Sequence, residues 1–216
     1  MFLVFIQPDL GTTIILATIM VTLLVVAGTK ARYLILLTAV ALAAIYGAFQ
    51  LNIIKQYQVD RLVGFMDQSK NTQQANYNLQ QSKIAIGAGG LTGTGYLKGT
   101  QTNLDFVPEQ HTDFIFTAVG EELGFVGAAV LLLLFSVLLW RAYRIAITAK
   151  DPFGTFVATG VAAMITIQMF VNIGMTIGIM PITGIPLPFI SYGGSGLIAD
   201  FIGIGLLESI RIRRYA

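Results

Sequence analysis

The chain has 216 residues, of which 55% are hydrophobic and 11% charged. With a mean hydropathy of +0.76 it falls outside the ordinary soluble class, whose charged share is about 25%. A net charge of +2 is too small to point to nucleic acid, the absence of cysteine excludes disulfides and thiolate metal ligands, and a single histidine, His111, gives no basis for a zinc cluster.

Hydropathy predicts spans over roughly 11–28, 33–51, 113–140, 154–178 and 191–210, each near the ~20 residues that cross a bilayer. The expected fold is all-α, a polytopic membrane helical bundle of about five transmembrane helices with a long extracellular loop. Residues 1–216 read as a single transmembrane unit, with 52–112 as its large loop. Lys30 and Arg32, then Arg141, Arg144 and Lys150, then Arg211, Arg213 and Arg214 lie in short connections that alternation puts on one side. Short basic loops stay cytoplasmic, so the C-terminus is expected inside and the 52–112 loop outside. Met1 then falls outside with no leader pattern before the first span. The expectation is a C-terminal part of a larger membrane protein, or a chain that relies on a partner for a missing half.

A loop as long as 52–112 is usually functional. Its first part, through Asp60–Asp67, is mixed and suits an amphipathic helix lying on the membrane. Asn71 to Ser82 is rich in Gln and Asn, and five glycines follow between Ile84 and Tyr96. Those glycines suit either a backbone nest for a phosphate or a flexible surface loop. No P-loop lysine pattern accompanies them.

Asp113 stands where the polar loop meets an apolar segment, and a charge at a membrane edge is a functional candidate by default. An ordinary helix start, with Thr112 and Asp113 capping the first amides, is the competing reading. Glu121 and Glu122 follow inside an apolar run. On one helix Asp113 and Glu121 are roughly 12 Å apart, whereas glycosidase carboxylate pairs are about 5–9.5 Å apart. One outer base with a deeper supporting carboxylate fits better than a two-carboxylate hydrolase. In the later spans Gln168 and Asn172, one turn apart, are expected to hydrogen-bond between helices, and Glu208 to pair with nearby arginines. The Pro- and Gly-rich stretch Met180–Gly196 predicts a structured outer or re-entrant hairpin lining the chamber of Asp113.

Several blocks resemble the SEDS family of cell-wall polymerases, the RodA/FtsW/SpoVE group, in family order and spacing. They are Gln7–Thr12, Gln81–Gly87, Pro108–Phe116, Gly120–Gly124, Asn172–Met175 and Pro186–Gly196. Lys98–Gln101 before Leu104–Glu109 resembles the elongation branch, RodA, more than the division branch, FtsW. The resemblance implies the second half of a ten-helix fold in the bacterial inner (plasma) membrane. It implies a peptidoglycan glycosyltransferase that polymerises lipid II during cell-wall elongation and cell-shape maintenance. In it Asp113 matches the essential aspartate, and Glu121 a second important acid that supports the cavity. Lys83 and Lys98 are candidates for the leaving pyrophosphate. Glu109, His111, Ser191 and Tyr192 complete the expected substrate-binding set, His111 chiefly by shaping its loop. No cofactor is certain; a divalent cation, Mg or Mn, is an option without an identified site. Expected partners are lipid II, the growing glycan strand, a class B penicillin-binding protein and other elongation-complex membrane proteins. A flippase for lipid-linked precursors and a non-catalytic scaffold for the penicillin-binding protein are the competing functions.

Overall fold

The computed structural model describes residues 10–50, 73–103 and 111–214. The segment expected to lie on the membrane as an amphipathic helix, and Glu109, fall outside these residues. Among the described residues seven helices follow in chain order: α1 Leu10–Val26, α2 Ala31–Gln50, α3 Gln73–Gly89, α4 Thr100–Asn103, α5 Ile115–Ile147, α6 Pro152–Ile177 and α7 Gly194–Arg213. No strand occurs among the described residues.

By length and composition α5 and α6 can each cross a membrane, while Gly11–Val26 and Ala31–Ala44 are shorter apolar helices. The outward faces are apolar: Phe125, Val130, Leu133 and Leu134 of α5 and Ile198, Phe201 and Ile202 of α7 are all exposed. In water such faces would be costly; against lipid they are the expected surface. At the end of α5, Trp140 and Tyr143 lie beside Arg141 and Arg144, with the Arg144 guanidinium 5.3 Å from the Trp140 ring centroid. Aromatic and basic residues gather in this way at a membrane interface.

Helix α6 is the centre of the bundle and packs against α1, α3, α5 and α7. Its start is set by Asp151, whose side chain accepts from the Gly154 amide ahead of a first-turn Pro152. Small residues let neighbours approach closely: Ala142, Ala146, Ala158 and Ala162 form one buried cluster with Ile145 and Leu207. A second cluster joins Phe135 and Ile165 to Leu187 of the hairpin after α6. Where α3, α5 and α6 meet, the Ser82 hydroxyl donates to the Thr176 carbonyl at 2.9 Å and shares a 2.6 Å hydrogen bond with the Thr117 hydroxyl. All three residues are buried, so these bonds tie the helices without leaving a polar atom unsatisfied.

Helix α5 is not continuous. Gly124 adopts φ 64°, ψ −163°, a conformation essentially restricted to glycine. The break unties two bonds that an α-helix would make, from Phe125 N to the Glu121 carbonyl and from Val126 N to the Glu122 carbonyl. The glycine-rich segment after α3 satisfies all four groups. Thr94 N and Gly95 N donate to the Glu121 and Glu122 carbonyls at 3.0 Å, and Phe125 N and Val126 N donate to Gly90 O and Leu91 O at 2.9 and 3.1 Å. A Cβ at Gly93 would collide with the Glu122 backbone, and one at Gly124 with the Gly93 amide. This segment is therefore neither a flexible surface loop nor a phosphate nest: the Gly90, Gly93, Thr94 and Gly95 amides are all bonded to backbone carbonyls.

The break also revises the depth of the acids. From Phe125 to Ile147 the helix measures roughly 34 Å, enough by itself to span the hydrocarbon. Glu121 and Glu122 thus precede the break and lie outside the continuous helix Phe125–Ile147.

Candidate functional site

The hairpin end brings together residues 111–114, the C-terminus of α6, the 178–193 segment and the start of α7. Residues 111–114 form turns, and α5 begins at Ile115 with Phe114 as its N-cap and no side-chain capping bond. Phe114, rather than Thr112 or Asp113, is thus the N-cap residue of α5. Phe114 is 2% exposed and anchors the turn in the core.

The main chain of the turn is held by the hairpin and α6. Ser191 Oγ donates to the Thr112 carbonyl at 2.6 Å and accepts from Leu187 N at 2.7 Å. Tyr192 N donates to the His111 carbonyl at 2.9 Å. Asn172 Nδ2 donates to the carbonyls of Asp113 and Ile185, each at 2.8 Å. Asn172 thus ties α6 to the turn and to the hairpin, not to another helix as expected. Gln168 differs: its Oε1 is buried with no hydrogen-bond partner among the described residues. It faces a cavity of about 200 Å³ between α6, the hairpin and α7, lined also by Ser191, Tyr192 and Asp200.

Of the basic candidates, Lys83 lies on α3 with its Nζ 2.6 Å from where a Cβ on Gly178 would stand. Gly178 is the left-handed cap that ends α6, and a cation there complements the helix dipole. The aliphatic part of Lys98 packs over Gly95, and Lys98 is exposed. The Tyr192 side chain is 80% exposed, so it is available at the surface of this end.

Glu121 is completely buried, and its carboxylate is occupied. Oε1 accepts from Gln101 N at 2.8 Å and Thr100 Oγ1 at 3.4 Å, and Oε2 accepts from Thr102 N at 2.9 Å and Thr102 Oγ1 at 2.5 Å. It pins the first turn of α4, just ahead of the chain leading to Asp113. Its chemistry is that of a support rather than of a group open to substrate. Asp200 is also structural: it accepts from Phe189 N at 3.1 Å. Phe189 has φ +63°, a strained conformation for an aromatic residue, and its ring stacks edge-on against Phe201 with centroids 5.8 Å apart. Glu208 meets Arg211 at 3.4 Å on the exposed opposite end of α7, as its position suggested. The roles of Asn172 and Asp200 in holding the hairpin are absent from the sequence-based site set. The one available signal was a polar residue inside an apolar span.

A helical bundle with membrane-length apolar helices, whose hairpin end holds the main chain of Asp113, defines the class. The family model described as "Cell cycle protein", that of FtsW, RodA and SpoVE, matches residues 1–216. The chain belongs to this family. It is 44% identical over 208 residues to the peptidoglycan glycosyltransferase MrdB of Escherichia coli (strain K12), covering 96% of this chain and 56% of that protein. Similarity to stage V sporulation protein E of Bacillus subtilis (strain 168) is 40% over 210 residues, 97% of this chain and 56% of that protein. A solved chain from a peptidoglycan synthase complex described as coordinating polymerization and crosslinking superposes with a TM-score of 0.79 at 31% identity. That match covers 97% of this chain and 57% of the other. The chain spans about half the length of the relatives it matches.

Proposed function

We propose that this chain carries the general base of a membrane-embedded peptidoglycan glycosyltransferase. In this reading Asp113 takes the proton from the 4-hydroxyl of the acceptor N-acetylglucosamine. The freed oxygen electron pair attacks the anomeric carbon of the N-acetylmuramic acid unit. The bond from that carbon to the pyrophosphate breaks, and undecaprenyl pyrophosphate leaves with its electron pair. General-base assistance of this kind contributes about 10²–10⁴-fold.

The observation that carries the reading is the arrangement at Asp113. Its main chain is held by Asn172, and its carboxylate faces the turn at Gly184. It lies at the end of the bundle where the sugars of a lipid-linked substrate would meet a lipid tail still in the bilayer. The basic residues at the opposite ends of α5 and α7 favour the hairpin end as the outer one. Lys83, Lys98, Glu109, His111, Ser191 and Tyr192 are the proposed substrate-binding set, the two lysines assigned to the pyrophosphate and Ser191 acting by holding the turn at Thr112. Among the described residues no group of three His, Asp or Glu side chains is placed to hold a metal ion, and no step is routed through one. The partner is a class B penicillin-binding protein, in keeping with the peptidoglycan synthase complex to which a similar chain belongs.

The test reconstitutes the chain with a segment matching the other half of its relatives and with a class B penicillin-binding protein. Lipid II polymerisation and transbilayer movement of a fluorescent lipid II are followed in parallel. Glycan ladders that vanish with Asp113→Ala support the reading. Lipid movement without polymer refutes it in favour of a flippase, and wall assembly insensitive to Asp113→Ala refutes it in favour of a scaffold.

A further inference from the structure

One side-chain amide joins the turn of Asp113 to the hairpin. Asn172 Nδ2 reaches the carbonyls of Asp113 and Ile185 at 2.8 Å each. Asn172 is fully buried, and its Oδ1 has no hydrogen-bond partner among the described residues. Both donor hydrogens are thus committed while the acceptor contributes nothing to the helix contact. A residue kept only to glue helices would satisfy both ends.

The second half of the clamp is Gly184. It has φ +74°, and a Cβ there would stand 3.2 Å from Asp113 Oδ2, tighter than an ordinary carbon–oxygen contact. The next residue is Ile185, whose carbonyl Asn172 holds. The same amide therefore fixes the main chain of Asp113 and the peptide that backs its carboxylate.

We propose that Asn172 and Gly184 are positioning residues for Asp113. They fix the carboxylate's place relative to the hairpin and act through it rather than on the substrate. The proposal rests on the reading of Asp113 as the base. A displacement of about 1 Å in such a group costs on the order of 10²-fold in rate. Asn172→Ala removes both bonds. Gly184→Asn retains a residue that tolerates positive φ and adds bulk facing Oδ2, and because Gly184 is exposed it does not overpack the core.

The experiment measures lipid II polymerisation by the full-length enzyme with its penicillin-binding partner, at equal folded amounts, separating kcat from KM. Asn172→Ala and Gly184→Asn are each expected to lower kcat by about 10–100-fold with KM within about twofold of wild type. In an Asp113→Asn background, Asn172→Ala is expected to leave the residual rate unchanged. Wild-type kcat in both variants, a KM rise at constant kcat, or a loss that only follows the folded fraction overturns the proposal. An additive loss in the Asp113→Asn background overturns it as well. Full activity of Asp113→Asn alone is a different failure, that of the base assignment itself.

Discussion

Glu121→Ala is the substitution whose consequence the structure defines most closely. The carboxylate is buried and accepts from two main-chain amides, Gln101 N and Thr102 N, at 2.8 and 2.9 Å, and from the hydroxyls of Thr100 and Thr102. Hydrogen bonds to a charged group contribute about 1.5–3 kcal/mol each, and a buried donor left without a partner costs about 1–3 kcal/mol. With two main-chain amides left without an acceptor, the expected total is about 2–6 kcal/mol. The loss falls on α4, whose four residues are too few to persist without an external partner. Limited proteolysis of the purified protein in detergent, alongside thermal melting, separates local from global effects. Cleavage within residues 96–103 is expected to rise at least tenfold while α5–α6 fragments stay protected. Glu121→Gln keeps one acceptor oxygen and is expected to lie between wild type and Glu121→Ala. Wild-type cleavage and melting in Glu121→Ala would show that the four contacts do not hold α4.

Gly124→Ala adds a Cβ facing the Gly93 amide; the backbone conformation, essentially restricted to glycine, alone costs about 1–3 kcal/mol, and melting is expected to fall by more than that cost implies. Ser82→Ala removes the bonds to Thr117 and Thr176 and is expected to cost about 1–3 kcal/mol, read as a lower melting temperature without a change of fold. Glu208→Gln breaks only an exposed contact with Arg211 and is expected to move stability by less than about 0.5 kcal/mol in a chemical-denaturation series.

Helices α1, α2, α5, α6 and α7 were legible because apolar runs near 20 residues have one meaning in a membrane protein; α3 and α4, polar in sequence, fall in the stretch read as a loop. The Met180–Gly196 hairpin was legible because its prolines oppose a continuous helix. Asp113 stood out as a charge at the edge of such a run. The break in α5 did not stand out, since Gly120-Glu121-Glu122-Leu123-Gly124 reads locally as helix. What opens it is the pairing of Gly90–Gly95 with backbone about 30 residues later, a contact that local pattern does not encode. The depth assigned to Glu121 changed for the same reason. Its partners at 100–102 arise from that fold-back, so a carboxylate that looked stranded in an apolar helix is fully bonded. Asn172 was expected to bond between helices; its acceptors, the Asp113 and Ile185 carbonyls, lie in a turn and in the hairpin and, as main-chain groups, leave no mark in the sequence.

The central claim is that Asp113 supplies a basic oxygen to the acceptor hydroxyl. Asp113→Asn keeps the size of the side chain and the main-chain bond from Asn172 while removing the basicity. The most direct measurement is the rate of lipid II polymerisation by this variant in the reconstituted full-length complex, with complex formation monitored in the same preparation. The account predicts an intact complex and a rate reduced by at least about 10²-fold. An intact complex polymerising at the wild-type rate would contradict it.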